Sequence, residues 1–112
     1  MSQHKKIAAI HDLSGYGRCS LSVIIPVISA MGIQVCPVPT AVLSTHTGGF
    51  TDMALEDLTE HISDCYEHYK RLGLQFDAIY TGFMTSSEQV DSCLKFFDGN
   101  PDALKVVDPV LG

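Results

Sequence analysis

Residues 76–108 read FDAIYTGFMTSSEQVDSCLKFFDGNPDALKVVD, and two kinds of apolar pattern alternate along them. Phe76 to Thr81 is a short apolar run of strand length, and Leu104 to Asp108 is a second one. Between them Ser86 offers a hydroxyl as N-cap while Gln89, three positions on, can reach back to it, the two halves of a capping box. Val90, Cys93, Leu94 and Phe97 then step by three or four, which predicts one buried helical stripe. Gly99-Asn100-Pro101 then stops the helix. Strand, helix and strand in that order make a βαβ unit, and such units build parallel sheets.

The rest of the chain carries the same alternation. Lys6 to Ile10 and Gln34 to Ser44 are further strand-like runs. A helix is expected from about Cys19 to Met31, closed by Gly32, with Pro26 bending it or lying near its first turns. A second helix carries Leu55, Leu58, Ile62, Cys65, Tyr66, Tyr69 and Leu72 as its buried stripe. Asp52, Glu56 and Asp57 lie near its start, Lys70 and Arg71 near its end, and Gly73 follows, which suits the helix dipole at both termini. The expectation is four strands and three helices, every strand too apolar to turn a face to water and therefore central. Gln34–Ser44 is longer than a plain core strand and is expected to run past the sheet. Pro37 and Pro39 remove two ladder donors there, which suits an edge. No internal repeat, low-complexity tract or linker interrupts the order.

Composition narrows the function. The 112 residues are 46% hydrophobic, enough for a real core, so disorder is excluded. The formal net charge is −6, and the basic residues are scattered as Lys5, Lys6, Arg18, Lys70, Arg71, Lys95 and Lys105. Without a basic stripe, nucleic acid is not an expected partner. The longest apolar run, Val23 to Ile28, contains Pro26 and falls far short of the roughly 20 residues of a membrane span. The apolar stretch after Lys5 and Lys6 ends at His11 and Asp12, too soon for a secretory signal. A soluble, cytoplasmic protein with Cys19, Cys36, Cys65 and Cys93 reduced is the expectation. The sequence stops at Asp108-Pro109-Val110-Leu111-Gly112 directly after a strand-like run, and is expected to continue.

In an open parallel sheet, ligands bind beyond the carboxyl ends of the strands. The loops to inspect are therefore His11–Arg18, Thr45–Phe50, Gly82–Thr85 and Pro109–Gly112. Gly15-Tyr16-Gly17 ahead of a helix suggests a phosphate on a helix N-terminus. A dinucleotide fingerprint, however, wants glycine or alanine where Ser20 stands and an acidic residue in place of Ala41 to Ser44, and no Walker A ending is present. Glycines that merely turn a strand into a helix explain that loop equally well. Asp12 and Asp108 directly follow apolar strands, where a carboxylate can accept a hydrogen bond from a substrate or hold a metal-bound water. The same positions suit a loop cap at Asp12 and an Asp-Pro turn at Asp108. His61, Asp64, Cys65 and His68 have one-turn spacing, but Cys65 belongs to the buried stripe while Asp64 and His68 face away, so no metal site is expected. His46, among glycines and threonines in a rim loop, is either functional or merely solvated. His11 is given no role beyond the turn.

Taken together and in order, these loops resemble the vitamin B6 kinase branch of the ribokinase superfamily, the pyridoxal and pyridoxamine kinases, over the whole chain. Ser44-Thr45-His46-Thr47-Gly48 is similar to the family's Ser-Asn-His-Thr-Gly, Thr81-Gly82-Phe83 to its Thr-Gly-Tyr, and Asp108-Pro109-Val110-Leu111-Gly112 to its Asp-Pro-Val-Leu-Gly. The resemblance implies a Rossmann-like, ribokinase-type three-layer α/β sandwich with a central, mostly parallel sheet flanked by helices. It makes residues 1–112 the N-terminal part of a single kinase domain whose C-terminal part is absent. The activity implied is ATP-dependent phosphorylation of the 5′-hydroxymethyl group of pyridoxal, pyridoxamine or pyridoxine, by a homodimer. ATP and Mg2+ are the implied cofactors, with a monovalent cation as a further candidate.

By the same resemblance Thr47 hydrogen-bonds the pyridine substrate with His46 nearby, Phe83 lies against the ring, and Leu43 forms the other apolar wall. Asp12 stands where the family has a substrate-contacting serine, and Asp108 faces the phosphates of ATP and their magnesium. The region from about Val35 to Ser44 is expected to project toward the substrate as part of a lid or dimer edge. The family's catalytic base and anion hole lie in a downstream Gly-Thr-Gly-Asp segment, so neither a catalytic residue nor a direct metal ligand is expected in this chain. Phosphoryl transfer depends on such positioned groups, and the chain alone is expected to turn over negligibly.

One departure touches the substrate. Asp12-Leu13-Ser14-Gly15-Tyr16-Gly17 looks like the Asp-Pro-Ser-Gly-Gly-Ala-Gly loop of hydroxymethylpyrimidine kinases, which keeps that pyrimidine of thiamine synthesis as the alternative. Those enzymes carry Gln-Asn-Thr where this chain has Thr45-His46-Thr47, which favours the B6 vitamers. An aspartate accepts a hydrogen bond from an amino group or a protonated ring nitrogen more strongly than a serine does. Two readings from other classes stand beside these: a noncatalytic α/β binding module complete at this length, and a dinucleotide-dependent oxidoreductase domain.

Overall fold

A computed structural model describes residues 5–16, 20–45, 54–82, 84 and 86–108. The elements run β1 (Lys6–Tyr16), α1 (Leu21–Ala30), β2 (Gln34–Thr45), β3 (Leu55–Asp57), α2 (Thr59–Arg71), β4 (Ala78–Thr81), α3 (Ser87–Gly99) and β5 (Leu104–Val107). The sheet order is β3-β2-β1-β4-β5. β2, β1, β4 and β5 are parallel, and β3 is antiparallel to β2. The fold is thus α/β with a mostly parallel sheet, as expected.

Topology sets the layers. From β1 the chain crosses to β2 on one side, then returns through α2 to β4 on the other side of β1. Right-handed crossovers in opposite directions put α1 on one face of the sheet and α2 with α3 on the other. The core agrees: Ala8, Ile10, Val38 and Ile79 of the sheet cluster with Ile62 of α2, Cys93 and Phe96 of α3, and Phe76 and Ala103 beside the strands. The reversal leaves a switch point between β1 and β4, the place where open α/β sheets bind ligands.

Several local expectations hold. The Ser86 hydroxyl accepts from the Gln89 N–H and starts α3. Gly32 and Gly73 follow α1 and α2 with φ of +79° and +73°, in the left-handed region that glycine enters without strain. Asp57 accepts from the Thr59 N–H at the start of α2. The Gln34 N–H bonds Lys5 on the β1 side, so alternation turns positions 37 and 39 to the far edge of β2, where β3 reaches only Ala41–Leu43. The prolines therefore cost no ladder bond.

Other expectations are corrected. Among the described residues there are five strands, because Leu55–Asp57 pairs with β2 and does not open a helix; Leu55 is exposed, as is Leu72. Only Ile62, Cys65, Tyr66 and Tyr69 of that stripe meet the core. The phase of α3 is turned: Gln89, Ser92, Cys93 and Phe96 are buried, while Val90 and Leu94 are exposed. Gln89 is accommodated because its amide donates to the Thr40 carbonyl and the Thr59 hydroxyl. α1 begins at Leu21, and Pro26 lies inside it. Among the described residues β5 pairs with β4 alone, and Leu104, Val106 and Val107 are exposed. Cys36, Cys65 and Cys93 are free thiols. No described helix is long and apolar enough to cross a membrane.

Candidate functional site at the switch point

β1 and β2 outrun the rest of the sheet. β4 pairs with β1 only from Ile7 to Ile10, while β1 continues to Tyr16 beside β2 as far as Thr45. The register slips between His11 and Leu13, where two β1 steps face three on β2, a bulge that re-aims the strands. Residues 11–16 with the end of β2 and with β3 thus form a ribbon extending past the carboxyl end of β4. This corrects the first loop. Gly15 and Tyr16 lie within a paired strand and not in a turn; Gly17 lies outside the described residues.

The carboxylates of Asp12 and Asp108 both act electrostatically on His11. His11 is the first residue of β1 beyond its β4 pairing, and it is 5% exposed. Burial holds its pKa below the ordinary histidine value, with Asp12 and then Asp108 pulling partly the other way, so the ring is neutral at pH 7. Its Nε2 has no hydrogen-bond partner. Its ring meets Tyr80 edge-on, with centroids 4.5 Å apart and planes at 69°. Sequence reasoning missed this residue, because a histidine after an apolar strand reads as the start of a loop; the apolar neighbours Leu13 and Tyr16 were the available hint that the strand continues.

Gly82 seals the other side of the ring. A Cβ at position 82 would overlap Nδ1 of His11 and come within 2.5 Å of its Cε1. The imidazole is buried and cannot swing away, so Gly82→Ala is expected to cost about 1–3 kcal/mol, as overpacking does. Urea unfolding measures it, and an unchanged midpoint would show that the ring gives way.

The two carboxylates are held differently. Asp12 accepts from the Ser20 hydroxyl at 2.8 Å and from the Ser14 hydroxyl at 3.4 Å. Ser20 has φ +52° and bridges Leu13, so Asp12 ties down a strained residue just ahead of α1. Asp12 thus links β1 to the start of α1 through side-chain hydroxyls, and its carboxylate stays partly exposed. Asp108 is exposed; its N–H donates to the Thr81 carbonyl and its Oδ2 accepts from the Tyr80 hydroxyl at 3.2 Å. Leu43 is buried on the overhang, in register with Ser14. His46, Thr47 and Phe83 lie outside the described residues. On α2, His61 Nε2 sits 3.3 Å from Cys65 Sγ, and among the described residues no three His, Cys, Asp or Glu side chains gather as a metal site.

No protein-family model matches the chain. It is similar to a protein of Bacteroides thetaiotaomicron provisionally assigned as a phosphomethylpyrimidine kinase, whose crystal form with pyridoxal is 51% identical, with a TM-score of 0.91 over 98% of this chain and 39% of that one. The pyridoxal kinase of Lactobacillus plantarum is 35% identical, with a TM-score of 0.90 over 96% of this chain and 39% of its own. The curated pyridoxal kinase PdxY of Vibrio vulnificus is 31% identical over 115 residues, 95% of this chain. The chain spans 39% of the length of that relative. Fold and relatives agree: over nearly all of its length the chain is similar to part of the pyridoxal kinases and phosphomethylpyrimidine kinases.

Proposed function

We propose that this chain is the N-terminal, substrate-side part of a single kinase domain that transfers the γ-phosphoryl of ATP to the 5′-hydroxymethyl of a B6 vitamer. The observation that carries this is the Bacteroides protein, half identical in sequence and crystallised with pyridoxal. In this reading Thr47 and His46 meet the pyridine, Phe83 and Leu43 flank it, and Asp12 at the bulge of β1 accepts a hydrogen bond from its polar edge. The enzyme works in the cytoplasm as a homodimer.

Asp108 takes the nucleotide side. Its carboxylate is exposed beside the switch point, and its backbone is fixed by the bond to Thr81. A single carboxylate without two further ligands fits Mg2+ that keeps its waters and is bound mainly by phosphate oxygens. When bound, that ion neutralises charge on the β- and γ-phosphates. His11, being neutral, leaves the negative potential of Asp108 and Asp12 intact toward the metal. The catalytic base and anion hole lie outside these residues, so the chain alone is expected to bind weakly and not turn over.

A second substrate is favoured by two specific observations: the same Bacteroides relative is assigned to a pyrimidine, and Asp12 is shared with hydroxymethylpyrimidine kinases. The test is a side-by-side assay of pyridoxal, pyridoxamine and hydroxymethylpyrimidine, using a polypeptide extended to the length of the relatives. A B6 vitamer is expected to give the highest kcat/KM. Preference for the pyrimidine moves the assignment there, and turnover of none overturns the kinase reading. In that polypeptide Thr47→Ala and Phe83→Ala are each expected to raise KM for the vitamer about 3- to 10-fold, the loss of one hydrogen bond or one ring contact, with KM for ATP nearly unchanged. Equal effects on both substrates would show that these residues only hold the fold.

A further inference from the structure

We propose that Tyr80 is a positioning residue that presets the Asp108 carboxylate for the magnesium nucleotide, with the buried His11 ring as its brace. The inference rests on Asp108 being the nucleotide-side carboxylate. Asp108 is exposed, and an exposed carboxylate left to itself samples several rotamers, each of which must be given up when a ligand binds. Among the described residues the Tyr80 hydroxyl is the donor that reaches this side chain, on Oδ2, and the other oxygen stays available. An uncharged donor is the right kind of clamp. A lysine or arginine in its place would also orient the carboxylate but would cancel the charge that attracts the metal.

The clamp is effective only if Tyr80 is itself immobile. β4 is paired on both sides, Tyr80 standing in register with Ala9 of β1 and Val106 of β5. Its ring rests edge-on against His11. His11 in turn is walled in by Gly82 and almost wholly buried. A contiguous packed chain therefore runs Gly82, His11, Tyr80, Asp108 across the carboxyl ends of β1, β4 and β5. An unpartnered buried imidazole nitrogen is costly next to an apolar side chain, and a role of the ring beyond filling space accounts for its presence.

Tyr80→Phe removes the hydroxyl and keeps the ring on His11. In the polypeptide extended to the relatives' length, calorimetric binding of the magnesium complex of a non-hydrolysable ATP analogue is expected to weaken about 3- to 5-fold, since a 3.2 Å bond at an exposed site is worth no more than an ordinary hydrogen bond despite its charged acceptor. KM for pyridoxal and the thermal midpoint are expected to stay within experimental scatter. Combined with Asp108→Asn, Tyr80→Phe should add no further loss, because the clamp acts only through the carboxylate it presets and that charge is already gone. Unchanged nucleotide affinity in Tyr80→Phe, with Asp108→Asn impaired, overturns the inference and leaves the kinase reading standing. A full Tyr80→Phe effect on the Asp108→Asn background also overturns it. If Asp108→Asn itself binds nucleotide normally, the inference and the assigned role of Asp108 fall together, while phosphorylation of pyridoxal by the unaltered polypeptide reports on the kinase reading independently.

Discussion

Replacing Asp108 by asparagine, in a polypeptide of the relatives' length, is expected to lower kcat/KM for ATP about 100-fold, the scale seen when one positioned electrostatic group is removed from a transition-state site. The substitution is nearly isosteric. It keeps one oxygen that can accept from the Tyr80 hydroxyl and leaves the N–H bond to Thr81 untouched, so the charge and the second acceptor oxygen are what is lost. Because the side chain is exposed, stability should change by less than about 0.5 kcal/mol. The Mg2+ concentration for half-maximal rate should rise, and added Mg2+ should recover part of the activity. Initial rates against ATP and Mg2+ measure both. A loss smaller than about threefold, well below what this kind of group supplies, would remove Asp108 from the nucleotide side.

Phe96→Ala is expected to cost about 3–5 kcal/mol of folding stability, a large share of what a domain of this size possesses. Phe96 is 0% exposed and sits at the centre of an aromatic group, with ring centroids 5.3 Å from Tyr66, 6.5 Å from Tyr69 and 6.3 Å from Phe76. It joins α3 to α2 and to the segment before β4, so its removal leaves a cavity that three elements would have to move to close. Leu94→Ala, two residues away on the exposed side, should cost less than about 1 kcal/mol. The pair tests the phase of α3 directly by urea unfolding of the chain. Comparable losses at both positions would mean that the helix is rotated from the arrangement described.

That rotation marks the limit of pattern reading. Val90, Cys93, Leu94 and Phe97 make a plausible apolar stripe, yet a helix face is chosen by everything it touches, and Gln89 is buried because Thr40 and Thr59 supply its partners from elsewhere in the chain. Leu55 and Leu58 continue the spacing of α2 by coincidence. The open edge of β2 at Ala41–Leu43 offers that segment a ladder, and the ladder wins over helical spacing.

The amino-acid sequence by itself determined what depends on neighbours within a turn or a strand: the alternation of apolar runs and helical stripes, the Ser86 cap, the glycines that close α1 and α2, and the loop motifs that point to a vitamin B6 kinase. Tertiary structure alone decided that β1 continues through His11 and Asp12 as a strand, that the sheet order reverses between β1 and β4, and that His11, Tyr80, Gly82 and Asp108 pack as one group. Those residues come from three parallel strands, and the hydrogen bonds and ring contacts that join them form only once the sheet has assembled, so no local pattern can announce them.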